Sequence, residues 1–436
     1  MGTGGALRQP AAPPVPGRNG CPAPDGLPAR RAIDYKRRTM AFAPRSRPVT
    51  TLLILLVAFG PASTDLYLPA LPSIARAFGA DSGAAQLTLS VFLLGFAVAM
   101  LAHGPLSDRF GRRPVLFGAL TVYLAASAAC ALAPSMEALI AARFLQALGA
   151  CAGAVIGRAI VRDVYQPHEA ARIMSFLAMA MAVAPAIGPI LGGWLTTTFG
   201  WQAAFAALLV FGSVAFAGVL FVLPETHLSP DPGAIHPVRI LSNYRSLVAD
   251  TRFRGYVLVV TGSYAGIFAY ISGSSFALID GLGLRPDQYG FCFSAAVLGY
   301  MSGSFGGGRA TTRLGIDRTI ALGNAFQLVG GLAGLGLALA GVFSIASVVA
   351  PAAVFFFGSG FALPNATAGA INPFPRMAGA ASALMGFLQM AGAALLGAVV
   401  GQLQNGGPGM MMAAIAFGGL VAVLAHRLIV RKLASS

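Results

Sequence analysis

Twelve apolar runs set the terms on which this chain can fold. They lie at about 50–71, 84–103, 115–133, 137–157, 173–196, 202–223, 255–277, 288–308, 319–341, 345–369, 378–401 and 409–430. Each approximates the roughly 20 residues that a helix needs to cross a bilayer core. Inside hydrocarbon, backbone amides must be satisfied within the segment, so repeated runs of this length select helices. Composition agrees: of 436 residues, 56% are hydrophobic and 10% charged, where a soluble domain carries about a quarter charged. The expected fold class is an all-α membrane protein with twelve transmembrane helices.

Charge placement sets the orientation. Of the 29 Lys and Arg, Arg143 falls within a span and only Arg76 and Arg285 fall on one side; the rest fall on the other. The positive-inside rule then puts both termini in the cytoplasm. The net charge of +15 would suit a nucleic-acid binder, but its charges sit in loops between spans, so no nucleic-acid partner is expected. Cys21, Cys130, Cys151 and Cys292 show no CxxC spacing, and the five histidines form no metal pattern. The three cysteines in or near spans read as small packing residues. Residues 1–47 are rich in Pro, Gly and Arg, lack an apolar period and are expected to be a disordered cytoplasmic tail. No short apolar core with a cleavage site marks them as a signal peptide. Met40 opens a compact basic lead-in, which points to 1–39 as an overcalled start; peptides from before Met40 in the native protein would refute that.

The longest internal loop, 224–254, divides the chain into six spans plus six. A shift of 204 residues brings Gly104 onto Gly308, Arg109 onto Arg313, Gly111 onto Gly315, Gly188 onto Gly392 and Gly193 onto Gly397. The expected domains are the tail 1–47, a six-helix bundle 48–223, the cytoplasmic loop 224–254, a second bundle 255–430 and a tail 431–436. Two parallel, pseudo-symmetric repeats imply a substrate path at their interface near the bilayer midplane.

Few residues in the spans carry chemistry. Asp65 is the only carboxylate well inside one, and at that depth it must face a polar cavity or a partner. Pro61 and Pro69 would distort its helix and free carbonyls. Burial favours the protonated form of a carboxylate and a nearby cation the ionised form, so a group balanced between them can load and release protons near neutral pH. A fixed ion pair that only joins helices is the alternative. Arg143 is the only basic residue inside a span, and Gln146 shares its helix face. If span four lies against span one, Asp65, Arg143 and Gln146 form one polar cluster. Between spans two and three, Gly104-Pro105-Leu106-Ser107-Asp108-Arg109-Phe110-Gly111-Arg112-Arg113-Pro114 reads as a tight charged turn. It either sets topology alone or packs closely and pairs charges.

That turn resembles the signature loop between the second and third helices of the major facilitator superfamily. Three further stretches are similar to its twelve-span drug:proton antiporter branch. They are Ser63-Thr64-Asp65-Leu66-Tyr67-Leu68-Pro69 in span one, Arg143-Phe144-Leu145-Gln146 with Arg158, Arg162 and Asp163 in and after span four, and Ala184-Pro185-Ala186-Ile187-Gly188-Pro189-Ile190-Leu191-Gly192-Gly193 in span five. The likeness is greatest to the bicyclomycin and chloramphenicol resistance exporters. The resemblance implies the major facilitator fold and a coupling site at Asp65, Arg143 and Gln146. In the implied mechanism substrate displaces the proton on Asp65 and reprotonation expels the substrate. Gly104, Asp108, Arg109, Gly111, Arg112, Arg158, Arg162 and Asp163 are expected to form a cytoplasmic gate. Pro185, Gly188, Pro189, Gly192 and Gly193 are expected to seal the cavity against span eight, where Gly299, Gly303 and Gly306 to Gly308 leave one side small; ordinary close packing would look the same.

One departure bears on substrate. Some multidrug relatives carry a second acid about two turns before the span-one aspartate, whereas Leu55-Leu56-Val57-Ala58-Phe59 has none. This favours neutral or zwitterionic substrates, phenicol-like or bicyclic. Aromatics with a few amides suit an apolar drug pocket, with Tyr67, Tyr264, Asn365 and Gln389 as candidate lining; many of the phenylalanines serve lipid contact or packing. The expected activity is proton-coupled export of small amphiphilic drugs across a bacterial inner membrane, by a monomer whose partners are substrate and lipid, with no cofactor beyond the proton. Export of an endogenous metabolite by the same fold is the alternative. No nucleophile–base set, filter-like repeat or P-loop points to an enzyme, a channel or ATP-driven transport.

Overall fold

A computed structural model describes residues 45–403 and 407–430. The first span is broken into α1 (Arg47–Val57), α2 (Phe59–Asp65), a 3-10 turn at Leu68–Ala70 and α3 (Leu71–Phe78). Then follow α4 (Ser82–Phe110), α5 (Arg112–Ala131), α6 (Met136–Val164), α7 (Pro167–Phe199) and α8 (Gln202–Phe221). A shorter helix, α9 (Pro237–Ala249), precedes α10 (Thr251–Ser275), α11 (Pro286–Leu314), α12 (Ile316–Leu339), α13 (Ile345–Ile371), α14 (Ala378–Leu403) and α15 (Gly409–Ala425). Among the described residues there is no strand. Among the described residues ten helices are long and apolar enough to cross a membrane, or eleven when Arg47–Val57 and Phe59–Phe78, bent by 42°, are taken as one span. α11 has the length, 29 residues, but is rich in Gly, Ser and Thr rather than uniformly apolar. The twelve expected runs therefore each correspond to helix.

Local chemistry places the ends. Asp81 accepts the Ala84 amide at 2.7 Å, Ser135 that of Ala138 at 3.3 Å and Asp250 that of Phe253 at 2.8 Å, each satisfying an amide left open in a first turn. Three expectations need correction. Charged residues leave the membrane but not the helix: α4 runs through Asp108 to Phe110, so the expected long turn shrinks to Gly111. The loop 224–254 contains α9, which starts at a proline, a residue suited to a first helical turn. The tail ends sooner than 47. Residues 1–44 lie outside the described residues, but Ser46 stands at the N-cap of α1 with Pro in its first turn. Arg45 donates to the Val164 carbonyl and pairs with Glu169.

The packing repeats about a pseudo-twofold axis. α6 lies against α4 and α5, and α5 against α8; in the second set α13 lies against α11 and α12, and α15 against α10 and α12. Two extensive helix–helix contacts join the sets, α4 with α14 and α7 with α11. The shift of 204 residues exchanges these two contacts. At the end away from the arginine-rich turns, Arg76 pairs with Asp280 at 3.0 Å, a pair separated by that same 204, as befits residues that meet across the axis. Gly111 and Gly315, also related by the shift, are the turns α4–α5 and α11–α12. Their φ values, 96° and 79°, are accessible to glycine at little strain.

Candidate functional site

The break in the first span organises the centre. Pro61, Pro69 and Pro72 lack amides, so the helix ladder cannot run continuously. Ser63, in the last turn before the break, offers its carbonyl to Arg143 Nη1 at 3.0 Å. The same Nη1 donates to Gln146 Oε1 at 2.6 Å, and Gln146 Nε2 to Ser127 Oγ at 2.8 Å. Ser63 Oγ and Tyr123 Oη are 2.8 Å apart. The guanidinium is fully buried under the rings of Phe92 and Tyr67, 4.2 and 4.6 Å from their centroids. Aromatic faces stabilise a desolvated cation. Nε and Nη2 of Arg143 have no hydrogen-bond partner.

Asp65 is the only acid in the buried class among the described residues, at 3% exposure. Its hydrogen bond comes from Thr64 Oγ1 at 3.2 Å, and among the described residues no cation lies within ion-pair distance. This corrects the expected cluster: Arg143 and Gln146 meet each other, but neither meets Asp65. The reason is helical geometry. At 3.6 residues per turn, positions 63 and 67 share a face while 65 points nearly opposite. Arg143 takes the face of Ser63 and Tyr67. Asp65 takes the face packed on α7, where Gly188 lies against its Cβ and Gly192 against the Leu66 carbonyl.

The glycine–proline stretch in α7 therefore has two neighbours. Gly188 and Gly192 seat α2, and Gly193 sits on Pro286 and Asp287 at the start of α11. From α11, Gly290 faces Pro189 and Ile190, and Ser294 Oγ donates to the Ala186 carbonyl at 2.5 Å. Pro185 and Pro189 stand inside the helix without ending it. Span eight does receive the motif, but not with the expected glycines: Gly299, Gly303 and Gly307 face Ala353, Phe357 and Phe361 of α13, Gly306 contacts the Phe361 ring, and Gly308 has open space.

At the arginine-rich end, Arg112 is the hub. It donates through Nη1 to Asp108 at 2.5 Å and Ser107 Oγ at 2.7 Å, and through Nε to Asp163 at 2.9 Å. Arg109 donates to the Pro232 carbonyl at 3.3 Å. Gly104 has open space around it. Arg158 and Arg162, expected in this network, make no ion pair among the described residues and instead line a cavity with Gly104, Asp108 and Arg112. Sequence reasoning missed Glu225. Its Oε1 accepts the amides of Arg112, Thr226 and His227 at 3.0, 3.0 and 2.9 Å, and its Oε2 that of Arg113 at 3.1 Å. Glu225 thus caps α5 from the far end of α8, doing what Gly111 at the N-cap cannot. A lone acid after Pro224 carries no signal of that in the sequence.

The geometry gives a membrane-embedded acid at a helix break, a buried cation held by the Ser63 carbonyl and Gln146 and two contacts between repeats that the pseudo-symmetry exchanges. A family model described as Major Facilitator Superfamily matches residues 53–397. The chain belongs to the major facilitator superfamily. It is 33% identical over 385 residues to Multidrug resistance protein D of Escherichia coli (strain K12), covering 87% of this chain and 95% of that one. It is 29% identical over 379 residues to a Bicyclomycin resistance protein homolog of Haemophilus influenzae, covering 86% and 93%. A crystal structure of a D-xylose–proton symporter shares the fold at TM-score 0.69 and 15% identity, over 88% and 97% of the two chains. This major facilitator is thus a multi-pass membrane transporter, and its homologues include drug-resistance proteins.

The expected pocket residues of this transporter are not brought together as one group. Tyr67 is core, bonded to Thr88 Oγ1 at 2.6 Å. Asn365 accepts from Thr311 at 2.9 Å and lines a small cleft between α11 and α13. Tyr264 and Gln389 are half-buried.

Proposed function

We propose that this transporter is a proton-coupled antiporter exporting small amphiphilic drugs by alternating access, with Asp65 as the proton carrier. The observation that carries the reading is the placement of Asp65. It is the one buried acid among the described residues, it stands at a break in span one, and it is packed on Gly188 of α7, a helix whose Gly193 and Pro189–Ile190 touch α11. A carboxylate without a cation partner resists ionisation in a low-dielectric site, so its proton is retained until a change of access or a bound substrate makes release favourable. Protonation then alters the charge at the surface where α2 meets α7, and α7 passes the change to α11. Arg143 acts by holding the break in place through the Ser63 carbonyl rather than by pairing with the acid. Residues 48–223 and 255–430 are the two bodies that rock, linked by 224–254. The proposed location is the bacterial inner membrane with both termini in the cytoplasm, because the arginines gather at one end.

Arg76–Asp280 and the α7–α11 contacts join the two bodies at the end opposite the arginines, and in the proposed cycle opening that end breaks the pair. Efflux from proteoliposomes, measured over a drug panel with and without an uncoupler, tests the reading. Uncoupler-sensitive efflux of several unrelated amphiphiles supports it. Efflux of a single metabolite-like solute, or efflux indifferent to the proton gradient, refutes it.

A further inference from the structure

At the arginine-rich end the molecule holds a cavity of about 470 Å³, within the range of small-molecule sites. α4 and α6 wall it on one side, the start of α14 on the other, and α9 with the turn before it lies across it. Its charged lining is five arginines and two aspartates. Both acids are already engaged: Asp108 with Arg112, and Asp231 with Arg239 at 2.9 Å. The Gly233 amide and Arg239 hold the Asp231 carboxyl below its ordinary range.

The other three cations, Arg158, Arg162 and Arg376, make no ion pair among the described residues. Arg158 is half-buried and spends only its Nε, on the Ala154 carbonyl at 2.8 Å. Arg162 follows one turn later on the same helix, a spacing at which like charges repel. The acid next to it in the chain, Asp163, is committed to Arg112. Arg162 and Arg376 are exposed, and an anion between the guanidiniums offsets the repulsion between Arg158 and Arg162, since guanidiniums bind carboxylate or phosphate in a planar, two-pronged manner. The rest of the lining includes Met100, Met174, Ile371 and Met377, flexible apolar side chains that accommodate varied shapes.

We propose that this cavity is a vestibule that captures amphiphiles bearing one anionic group, a carboxylate or a phosphate, through Arg158, Arg162 and Arg376. The inference refines the transport reading by naming a substrate class, and it rests on that reading only in calling the captured molecule a substrate. The three unpaired cations repel a permanently cationic drug. The same chemistry is offered by the headgroup phosphate of an anionic lipid, so the test separates the two sources.

The full-length protein is placed in nanodiscs of phosphatidylcholine, and binding of 2-naphthoate, 2-naphthyl phosphate, 2-naphthamide and a naphthyltrimethylammonium ion is followed by ligand fluorescence. The acid and the phosphate bind at least about tenfold more tightly than the amide, and the ammonium ion binds most weakly. Arg158→Gln and Arg376→Gln each lower acid affinity about tenfold, the loss expected of one charge-assisted contact, and leave the amide unchanged, which reports an intact fold. Arg158→Lys retains most of the acid affinity, and added salt weakens it. Equal affinity for acid and amide, or acid affinity untouched by both glutamine variants, overturns the proposal. Replacing part of the lipid by phosphatidylglycerol assigns the source: weaker naphthoate binding shows the headgroup competing for the same anion site, and unchanged binding assigns the site to soluble anions. Binding is read without a proton gradient, so failure here leaves proton coupling standing, and failure of coupling leaves this site standing.

Discussion

Glu225→Gln isolates one side chain that joins the end of α8 to the start of α5. The carboxylate accepts four amides, two of them, Arg112 and Arg113, at the open end of α5. A helix N-cap is worth about 1 kcal/mol, and a negative charge at a helix start adds about 0.3–1 kcal/mol when exposed and up to about 2 when partly buried. Glutamine keeps one acceptor oxygen, for Arg112, Thr226 and His227, but turns an NH₂ toward the Arg113 amide. The expected local loss is therefore about 1–3 kcal/mol. Hydrogen–deuterium exchange reads it directly: amides 112–113 and 226–227 exchange about 5- to 150-fold faster in the variant, at 1.4 kcal/mol per decade. Amides in α6 and α13 are unchanged. Protection at 112–113 equal to that of the wild type would show that Glu225 does not cap α5.

The remaining expectations concern packing and access. Gly192→Ala brings a methyl into the Leu66 carbonyl, an overpacking that costs about 1–3 kcal/mol, and thermal unfolding in detergent falls while transport is lost. Gly104→Ala, by contrast, meets open space inside α4 and stabilises by up to about 1 kcal/mol, seen as an equal or higher unfolding temperature. Cysteines at Arg76 and Asp280, in a background lacking the native cysteines and joined by a short bifunctional thiol reagent, stop transport until the link is reduced. Continued transport by the linked protein would show that this contact need not open.

The sequence made some of this legible and hid the rest for definable reasons. Apolar runs register directly in composition, so every span was visible, and the repeat was visible because Gly111 and Gly315 occupy backbone conformations that other residues avoid. Asp65 and Arg143 stood out as charges at membrane depth. What they do with one another depended on which face of a bent helix each neighbour takes, and two residues along a helix reverse the face. Facing also decides Gly299, Gly303 and Gly307 of α11: their small side was apparent, but its partner, α13 rather than α7, is a property of the assembled bundle. Helix ends were set too short at the arginine-rich end because hydropathy marks where the membrane stops, not where hydrogen bonding stops. Glu225 was hidden because its partners are main-chain amides more than a hundred residues away.

Substrate-induced proton release from the purified, detergent-solubilised protein bears most directly on Asp65. In weakly buffered solution, adding a transported drug to the wild type releases protons, and the signal disappears in Asp65→Asn while the variant still binds the drug. Undiminished release from Asp65→Asn would place the exchanged proton elsewhere and contradict the account at its centre.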